Sequence, residues 1–346
     1  MSRVNVVIPC YNYGHFLTDC VSSVLDDQPG SDVRVLIIDD ASDDGSADTA
    51  RQIAASDKRV DVLVHPVNRG HIATYNEGLL EWADGDYSVL LDADDRLTPG
   101  ALCRATDLMD EHPEVGFVYG HPIHFRDGGP LPQARTSARG WSIWRGHWWL
   151  KRRFREANGC ITTPEVVVRT SLQHLVGGYD PRLPHTGDIE MWMRLATYAD
   201  VGYVRGADQA YYRVHGQNMS KARDHIVNLR QRRLAYELLV ERCGDRIPGA
   251  DELSSIVHRK LAYEALWLAA RAYDRGRVPQ TPVDELVSFA RDCWPQAETS
   301  AAYRAFRMRS RIGPTAMPYL QPLIVSAMVR RARNWLWWQS WKRRGL

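Results

Sequence analysis

Tyr87, Ser88, Val89, Leu90 and Leu91 run directly into Asp92, Ala93, Asp94 and Asp95. A short run with strand propensity, bounded by polar residues, predicts a strand buried in an α/β sheet, so the acids stand where that strand ends. In open α/β sheets this edge is where ligands bind. Carboxylates packed so closely repel one another unless a cation or hydrogen-bond donors relieve them. A hard divalent ion, Mg2+ or Mn2+, suits the place, because it takes oxygen ligands, commonly uses one or two carboxylates, and fills its shell with phosphate oxygens and water. The stretch therefore reads as a metal-diphosphate site; the competing reading is that Asp94 and Asp95 cap the helix after Pro99.

The chain around this strand repeats the same design. Val4 to Pro9 predicts a first strand, ending in the turn Cys10-Tyr11-Asn12-Tyr13-Gly14, after which Leu17, Cys20, Val21, Val24 and Leu25 recur at helical spacing. Val33 to Ile38 predicts a second, running into Asp39-Asp40-Ala41-Ser42-Asp43-Asp44-Gly45-Ser46 with Ser46 as a helix N-cap. Val60 to Val64 is a third, and Asn68-Arg69-Gly70 turns into a helix from Ile72 to Trp82. Alternation at this spacing predicts parallel βαβ units with right-handed crossovers. The Asp39 loop is no calcium loop, since its twelfth position is Ala50 rather than Glu. It reads either as a solvated turn or as a place where Asp39 or Asp40 accepts hydrogen bonds from a nucleotide base or ribose. Without GxGxxG after the first strand, a nicotinamide or flavin domain is not expected.

In this order and spacing, Val6-Val7-Ile8-Pro9-Cys10-Tyr11-Asn12, Ile38 to Ser46, Asn68-Arg69-Gly70 with Asn76, Gly85-Asp86-Tyr87 and Leu91 to Asp95 resemble the family 2 glycosyltransferases of the GT-A fold. The resemblance implies an α/β GT-A (Rossmann-like) fold, with a mixed, mostly parallel sheet flanked by helices, as a catalytic domain over residues 1–221. It also implies a donor site of Pro9, Tyr11, Asn12, Asp39, Asp40, Arg69, Asn76, Asp92, Ala93 and Asp94, with Asp40 at the base. Asp94 and Asp95 would hold Mn2+ or Mg2+, with His215 of Tyr211-Tyr212-Arg213-Val214-His215 as a third ligand; a structural histidine is the alternative. Asp188, at the start of a helix carrying Trp192 and Arg194, matches the catalytic base. Gly187 stands where many relatives have Glu.

Thr98-Pro99-Gly100 predicts a helix to Asp110 with Pro at its first position, and Val115 to Tyr119 and Glu165 to Arg169 predict further strands. Trp141, Trp144, Trp148 and Trp149 precede the basic run Lys151-Arg152-Arg153. Either Trp141, Trp144 and Trp148 share one buried helical face, or, with Trp192, they form a stacking platform for a sugar acceptor, with Arg or Lys engaging a phosphate.

From Ala222 helices succeed one another without strands, Leu234, Leu238, Leu239, Ile256, Leu261, Leu266 and Leu268 recurring at helical intervals; this is a helical region over residues 222–346. From residue 300 onward there are ten Arg or Lys and no acid. Over Pro322 to Leu346, Val325, Met328, Val329, Ala332, Trp335 and Leu336 fall on one arc, with Trp337, Trp338 and Trp341 around it. That pattern fits a helix lying in a membrane interface or an oligomer contact, and nucleic acid fits it poorly. No window is long and apolar enough to span a membrane. Six cysteines without a CxxC pair and without a preceding signal peptide indicate neither a zinc knuckle nor a disulfide framework. The expected place is the cytoplasm, peripheral on the membrane face.

The resemblance implies an inverting, metal-dependent transfer of sugar from a nucleotide-diphosphate sugar, UDP by default, to a hydroxyl of a glycan, lipid-linked or small-molecule acceptor. Two rivals stand. A sugar nucleotidyltransferase would bring a Gly-rich basic loop after the first strand, where Cys10 to Gly14 has no cation. A non-catalytic membrane-docking protein would not need every acid in place.

Overall fold

A computed structural model describes residues 1–159, 161–216, 218, 225–320, 335–337, 339–341 and 345. It divides into two compact units, one of Met1–Leu150, Cys160–Lys221 and Lys342–Leu346, the other of Lys151–Gly159 and Ala222–Trp341.

The first unit is built on β1 (Arg3–Cys10), α1 (Gly14–Leu25), β2 (Asp32–Asp39), α2 (Ser46–Ser56), β3 (Val60–Val64), α3 (His71–Glu77), β4 (Tyr87–Leu90), β5 (Arg96–Leu97), α4 (Ala101–Glu111), β6 (Val115–Arg126), β7 (Trp141–Trp144), α5 (Gly146–Glu156, whose later turns belong to the second unit), β8 (Val167–Arg169), α6 (Thr170–Val176), α7 (Gly187–Ala196) and β9 (Asp200–Val214). The sheet runs β3-β2-β1-β4-β8-β6-β9-β5, with β7 added against β9. Pairings of β1 with β2 and β4, and of β2 with β3, are parallel, as the βαβ spacing predicts. Beyond β4 the sheet turns mixed: β8 is antiparallel to both β4 and β6, and β5 and β7 are antiparallel to β9, while β6 and β9 run parallel.

Because β1 lies between β2 and β4, the chain leaves β1 to one side and returns to the other. Strand order reverses there, and the crevice at such a switch point opens between the carboxyl ends of β1 and β4. Val4, Val6, Val7, Ile8, Val35, Ile37, Ile38, Val89 and Leu91 are buried as near-continuous runs, as strands covered on both faces must be. Gly78 shows how tightly the covering helices press: a Cβ there would lie 2.3 Å from Val7 Cγ1. At this glycine α3 widens into a π-type turn over Gly78–Trp82 instead of continuing as α-helix to Trp82.

Several local expectations are corrected. Ser46 is the first residue of α2 rather than its cap, because Gly45, at φ +87°, takes the left-handed position before it. Pro99 likewise precedes α4, which starts after Gly100 at φ +70°. The Trp-rich stretch is not one helix. Trp141 and Trp144 lie in β7, where residues three apart face opposite ways: Trp141 packs edge-on against His112, and Trp144 lies against Tyr119 and Tyr203. The helix begins at Gly146, where a Cβ would meet the carbonyl oxygens of Ala196 and Ala199 at 2.1 and 2.3 Å. Trp148 is exposed and Trp149 buried. No common face of Trp141, Trp144 and Trp148 exists.

The second unit is helical: α8 (His225–Cys243), α9 (Ala250–Asp274), α10 (Val283–Cys293), α11 (Ala301–Ile312) and α12 (Met317–Leu320), with the later turns of α5. Leu229, Leu238, Leu239, Val257, Leu261, Leu266 and Leu286 form its interior, and Val257, not Ile256, takes the inward position on α9. The buried Arg232 pairs with Glu264 at 2.9 Å and donates to the Ala157 carbonyl. The predicted interfacial stretch from Pro322 lies outside the described residues over 322–334, 338, 342–344 and 346; of the rest, Trp335 and Leu336 are exposed and Trp341 buried. Among the described residues no helix is long and apolar enough to cross a membrane.

Candidate active site

The loops after β1 and β2 are sewn together by short polar side chains. Asn12, at φ +58°, receives the Asp43 N–H on its Oδ1 (3.0 Å) and donates its own N–H to Ser42 Oγ (2.9 Å). Asp39 Oδ2 accepts from Ser42 N–H at 3.1 Å, while Asp39 Oδ1 is buried without a hydrogen-bond partner among the described residues. A buried acceptor left unpaired costs about 1–3 kcal/mol, and a donor edge such as that of a pyrimidine or purine base would remove that cost.

Asp40 has no such vacancy. Its Oδ1 accepts from Arg69 N–H (2.8 Å) and meets His65 Nδ1 (2.7 Å), and its Oδ2 accepts from Gly70 N–H (2.9 Å). Burial works against the charge, but the Arg69, His65 and Gly70 donors outweigh it and hold this carboxyl below the usual carboxylate range. Glu77 completes the knot, accepting from His65 Nε2 at 3.0 Å and from the Arg69 guanidinium. Asp40 therefore fixes the 68–70 loop, and the free acceptor is on Asp39. Asn76 is also committed to the scaffold, bracketing Tyr179 through its carbonyl (2.9 Å) and its N–H (2.6 Å). Tyr11 is exposed beside this edge, Pro9 pairs with Ile38 in the sheet, and Ala93 is buried in the core.

At the end of β4 the carboxylates have few donors. Asp92 Oδ1 accepts from the buried Tyr75 hydroxyl at 3.2 Å; burial and the charges of Asp94 and Asp188 nevertheless push its pKa to about 7. Asp95 is driven well above the carboxylate range by burial, then by Asp94 and Asp92, although its Oδ1 accepts from Arg213 N–H at 2.8 Å. Asp94 Oδ2 meets His215 Nε2 at 2.8 Å. The Tyr13 phenol, pushed to about 12 by burial and then by Asp94 and Asp92, stands beside them.

Among the described residues no group of three or more side chains forms a ready-made metal cage. The donor set fits a divalent ion held in the manner of Mg2+, by one or two carboxylates with phosphate oxygens completing the shell. Asp94 with His215 is the pair that fits best. Asp95 is turned toward the backbone of β9 and anchors the loop. Arg213 reinforces that anchor: its Nε donates to the Asp94 carbonyl (2.8 Å), its Nη1 to Asp127 (2.6 Å), and its guanidinium lies between the rings of Phe16 and Phe125 at 4.3 and 4.7 Å.

Asp188 sits in the first turn of α7, half-exposed, where the positive end of the helix dipole favours its charge. Its charge reaches Asp92, Tyr179 and Glu165. The helix is held by Arg194, which bonds Glu190 on its own helix at 3.0 Å and the carbonyls of Val176 and Gly178 at 2.6 Å. Trp192 is buried between Phe117 and Tyr179 and offers no open face for stacking.

The structure thus gathers Asp92, Asp94, Asp95, His215 and Asp188 around one edge and Asp39 at the neighbouring strand end. It adds residues the sequence reading passed over: Tyr13, Tyr75, Arg213 and, above all, Glu165. This acid precedes β8 rather than starting it. It is fully buried, accepts from Thr162 N–H (2.6 Å) and bonds its hydroxyl, and burial together with the nearby Asp188 charge outweighs these bonds to raise it to about 8. A single acid ahead of an apolar run, and a single Arg within a strand, were the only signals of Glu165 and Arg213.

Comparison with known proteins agrees with this fold. The family model described as glycosyl transferase family 2 matches residues 5–171. The putative teichuronic acid biosynthesis glycosyltransferase TuaG of Bacillus subtilis is 34% identical over 128 residues, 37% of this chain and 50% of that protein. Hyaluronan synthase of Pasteurella multocida is 26% identical over 222 residues, 63% of this chain and 21% of its own. The matched stretch thus spans at most half the length of these relatives. Among solved structures, S. aureus TarS 1-349 in complex with UDP-GlcNAc aligns with a TM-score of 0.63 at 15% identity, covering 92% of this chain and 90% of that one. The mannosyltransferase PcManGT of Pyrobaculum calidifontis, in complex with GDP-Man and Mn2+, aligns at 0.56 and 16% identity, covering 92% and 87%. With its sheet order, its acids at the strand ends and this match, the chain carries a glycosyltransferase family 2 region over residues 5–171 and has the GT-A fold.

Proposed function

We propose that this chain transfers a sugar from a nucleotide-diphosphate sugar, UDP-linked by default, to an acceptor hydroxyl with inversion at the anomeric carbon. The observation that carries this reading is the position of Asp188: half-exposed, on a braced helix, and near enough to Asp92 for its charge to act there.

In this reading Asp39 Oδ1 accepts from the base, and Tyr11 lies against it. Asp94 and His215 would hold Mn2+ or Mg2+, which when bound supplies positive charge against the departing diphosphate. Asp188 takes the proton of the acceptor hydroxyl as that oxygen bonds to the anomeric carbon. The bond from carbon to diphosphate oxygen breaks on the opposite side, and the nucleoside diphosphate leaves with the electron pair. Arg213 and Tyr75 keep the carboxylates of the β4 edge in place. The acceptor is a glycan, a lipid-linked sugar or a small molecule; the basic, Trp-bearing C-terminal region suits peripheral contact with a membrane and hence a lipid-linked acceptor.

A thermal-shift screen of nucleoside diphosphates and their sugars, with and without Mn2+, tests donor binding, since a ligand at a hundred times its Kd stabilises by about 2.7 kcal/mol. With the donor found, Asp188→Asn should keep its shift while transfer falls on the order of 10^3-fold, within the range for a lost general base. Turnover near that of the unaltered protein would remove Asp188 from this role.

A further inference from the structure

We propose that the outer face of α11, with Tyr319 and Leu320 after it, docks on an anionic lipid headgroup layer. This deepens the peripheral-contact reading above and assigns it to a described surface in the second unit. At 3.6 residues per turn, Arg307, Arg311, Arg304, Met308 and Ile312 fall within an arc of about 140°, and all five are exposed. Met308 and Ile312 are 46% and 38% exposed. The opposite side of the helix is committed: Phe306 is buried, and the buried Arg309 donates to Asp274 Oδ1 at 2.7 Å.

The outward arginines are not engaged in the same way. Arg304 bonds the Thr299 carbonyl (2.7 Å), and Arg307 and Arg311 have no hydrogen-bond or ion-pair partner among the described residues. Apolar exposure continues just past the helix, with Tyr319 84% and Leu320 41% exposed. No acidic side chain follows Glu298 in the sequence. Cations interleaved with aliphatic and aromatic groups match the boundary between phosphate and acyl chains, where guanidinium stays with the phosphate and apolar side chains enter. Nucleic acid would satisfy the cations alone.

Flotation of the full-length chain with phosphatidylcholine vesicles, with and without 30 mol% phosphatidylglycerol, tests the assignment. Binding should require the anionic lipid and weaken as salt rises. Removing two of the three outward cations in Arg307→Ala/Arg311→Ala should lower the partition coefficient about 30-fold, at about fivefold per cation near an anionic leaflet. Met308→Ser/Ile312→Ser should lower it as well, without removing its salt dependence. Absence of vesicle binding, equal binding to neutral vesicles, or retention of full binding by both pairs would overturn the proposal. So would concentration-dependent dimerisation abolished by the same substitutions without any vesicle binding. Donor binding, followed in parallel, separates this outcome from failure of the glycosyl-transfer reading, because the variants lie outside that site.

Discussion

The ends of β2 and β4 each carry adjacent carboxylates, and the fold treats them in opposite ways. At β2, Asp40 is surrounded by backbone N–H groups and His65 and is held below the ordinary range. At β4, the half-buried Asp92 and the buried Asp95 lie with Asp94 and are pushed upward. The same sequence motif, an apolar strand ending in Asp, thus gives a satisfied structural anchor in one case and an unrelieved cluster of negative charge in the other. Donors, not acids, separate the two: the β2 edge receives the 68–70 loop, and the β4 edge receives few donors besides Tyr75, His215 and the Arg213 N–H. The acids of the β4 edge are those the fold has left short of hydrogen-bond donors.

The largest test of this contrast is Asp94→Ala. It should abolish metal-dependent donor binding, weakening it on the order of 10^2-fold or more by calorimetric titration, while unfolding free energy stays level or rises because repulsion is relieved. Asp40→Ala should do the reverse. With the Arg69 N–H and His65 Nδ1 left without this acceptor, while the Gly70 N–H keeps Asn68 Oδ1 at 3.1 Å, chemical denaturation should show a loss of about 2 kcal/mol, and any loss of binding should follow from the loosened 68–70 loop. If Asp40→Ala were neutral for stability, the division between anchor and charge cluster would fail.

A smaller effect follows from pH. Burial and the Asp94 charge push the Asp92 carboxyl from its ordinary 3.8 up to about 7, so the folded protein holds this proton more tightly than the unfolded chain. Metal-free protein should therefore lose stability as pH rises from about 4 to 7. Asp92→Asn should flatten that slope in a melting series, and Mn2+ should compensate for it if the cluster binds the ion. The smallest expected effect is at Glu165. Gln keeps its shape and removes only the ionisation, so Glu165→Gln should match the unaltered protein near pH 4, pull ahead in stability as pH rises from about 4.5 to 8, by about 1 kcal/mol per pH unit at most, and keep a constant lead above that. A stability loss in the Gln variant at pH 4 would mean that the Thr162 bonds need the acid itself.

The strands, the parallel order of the first four and the acids at their ends were legible because each rests on local information, apolar runs of strand length punctuated by turn residues. The Trp-rich stretch was misread because Trp141, Trp144 and Trp148 fit helical spacing while Gly146, required by the carbonyls of Ala196 and Ala199, sets where the helix begins. The side-chain chemistry of the site was legible only in part. That Asp39 keeps a bare oxygen while Asp40 has none depends on a loop thirty residues away. Glu165 is at the site because the antiparallel pairing of β8 with β4 carries it there. Sequence alone determined which acids stand at strand ends; tertiary structure decided which of them find donors, because hydrogen-bond partners and burial are supplied by segments remote in the chain.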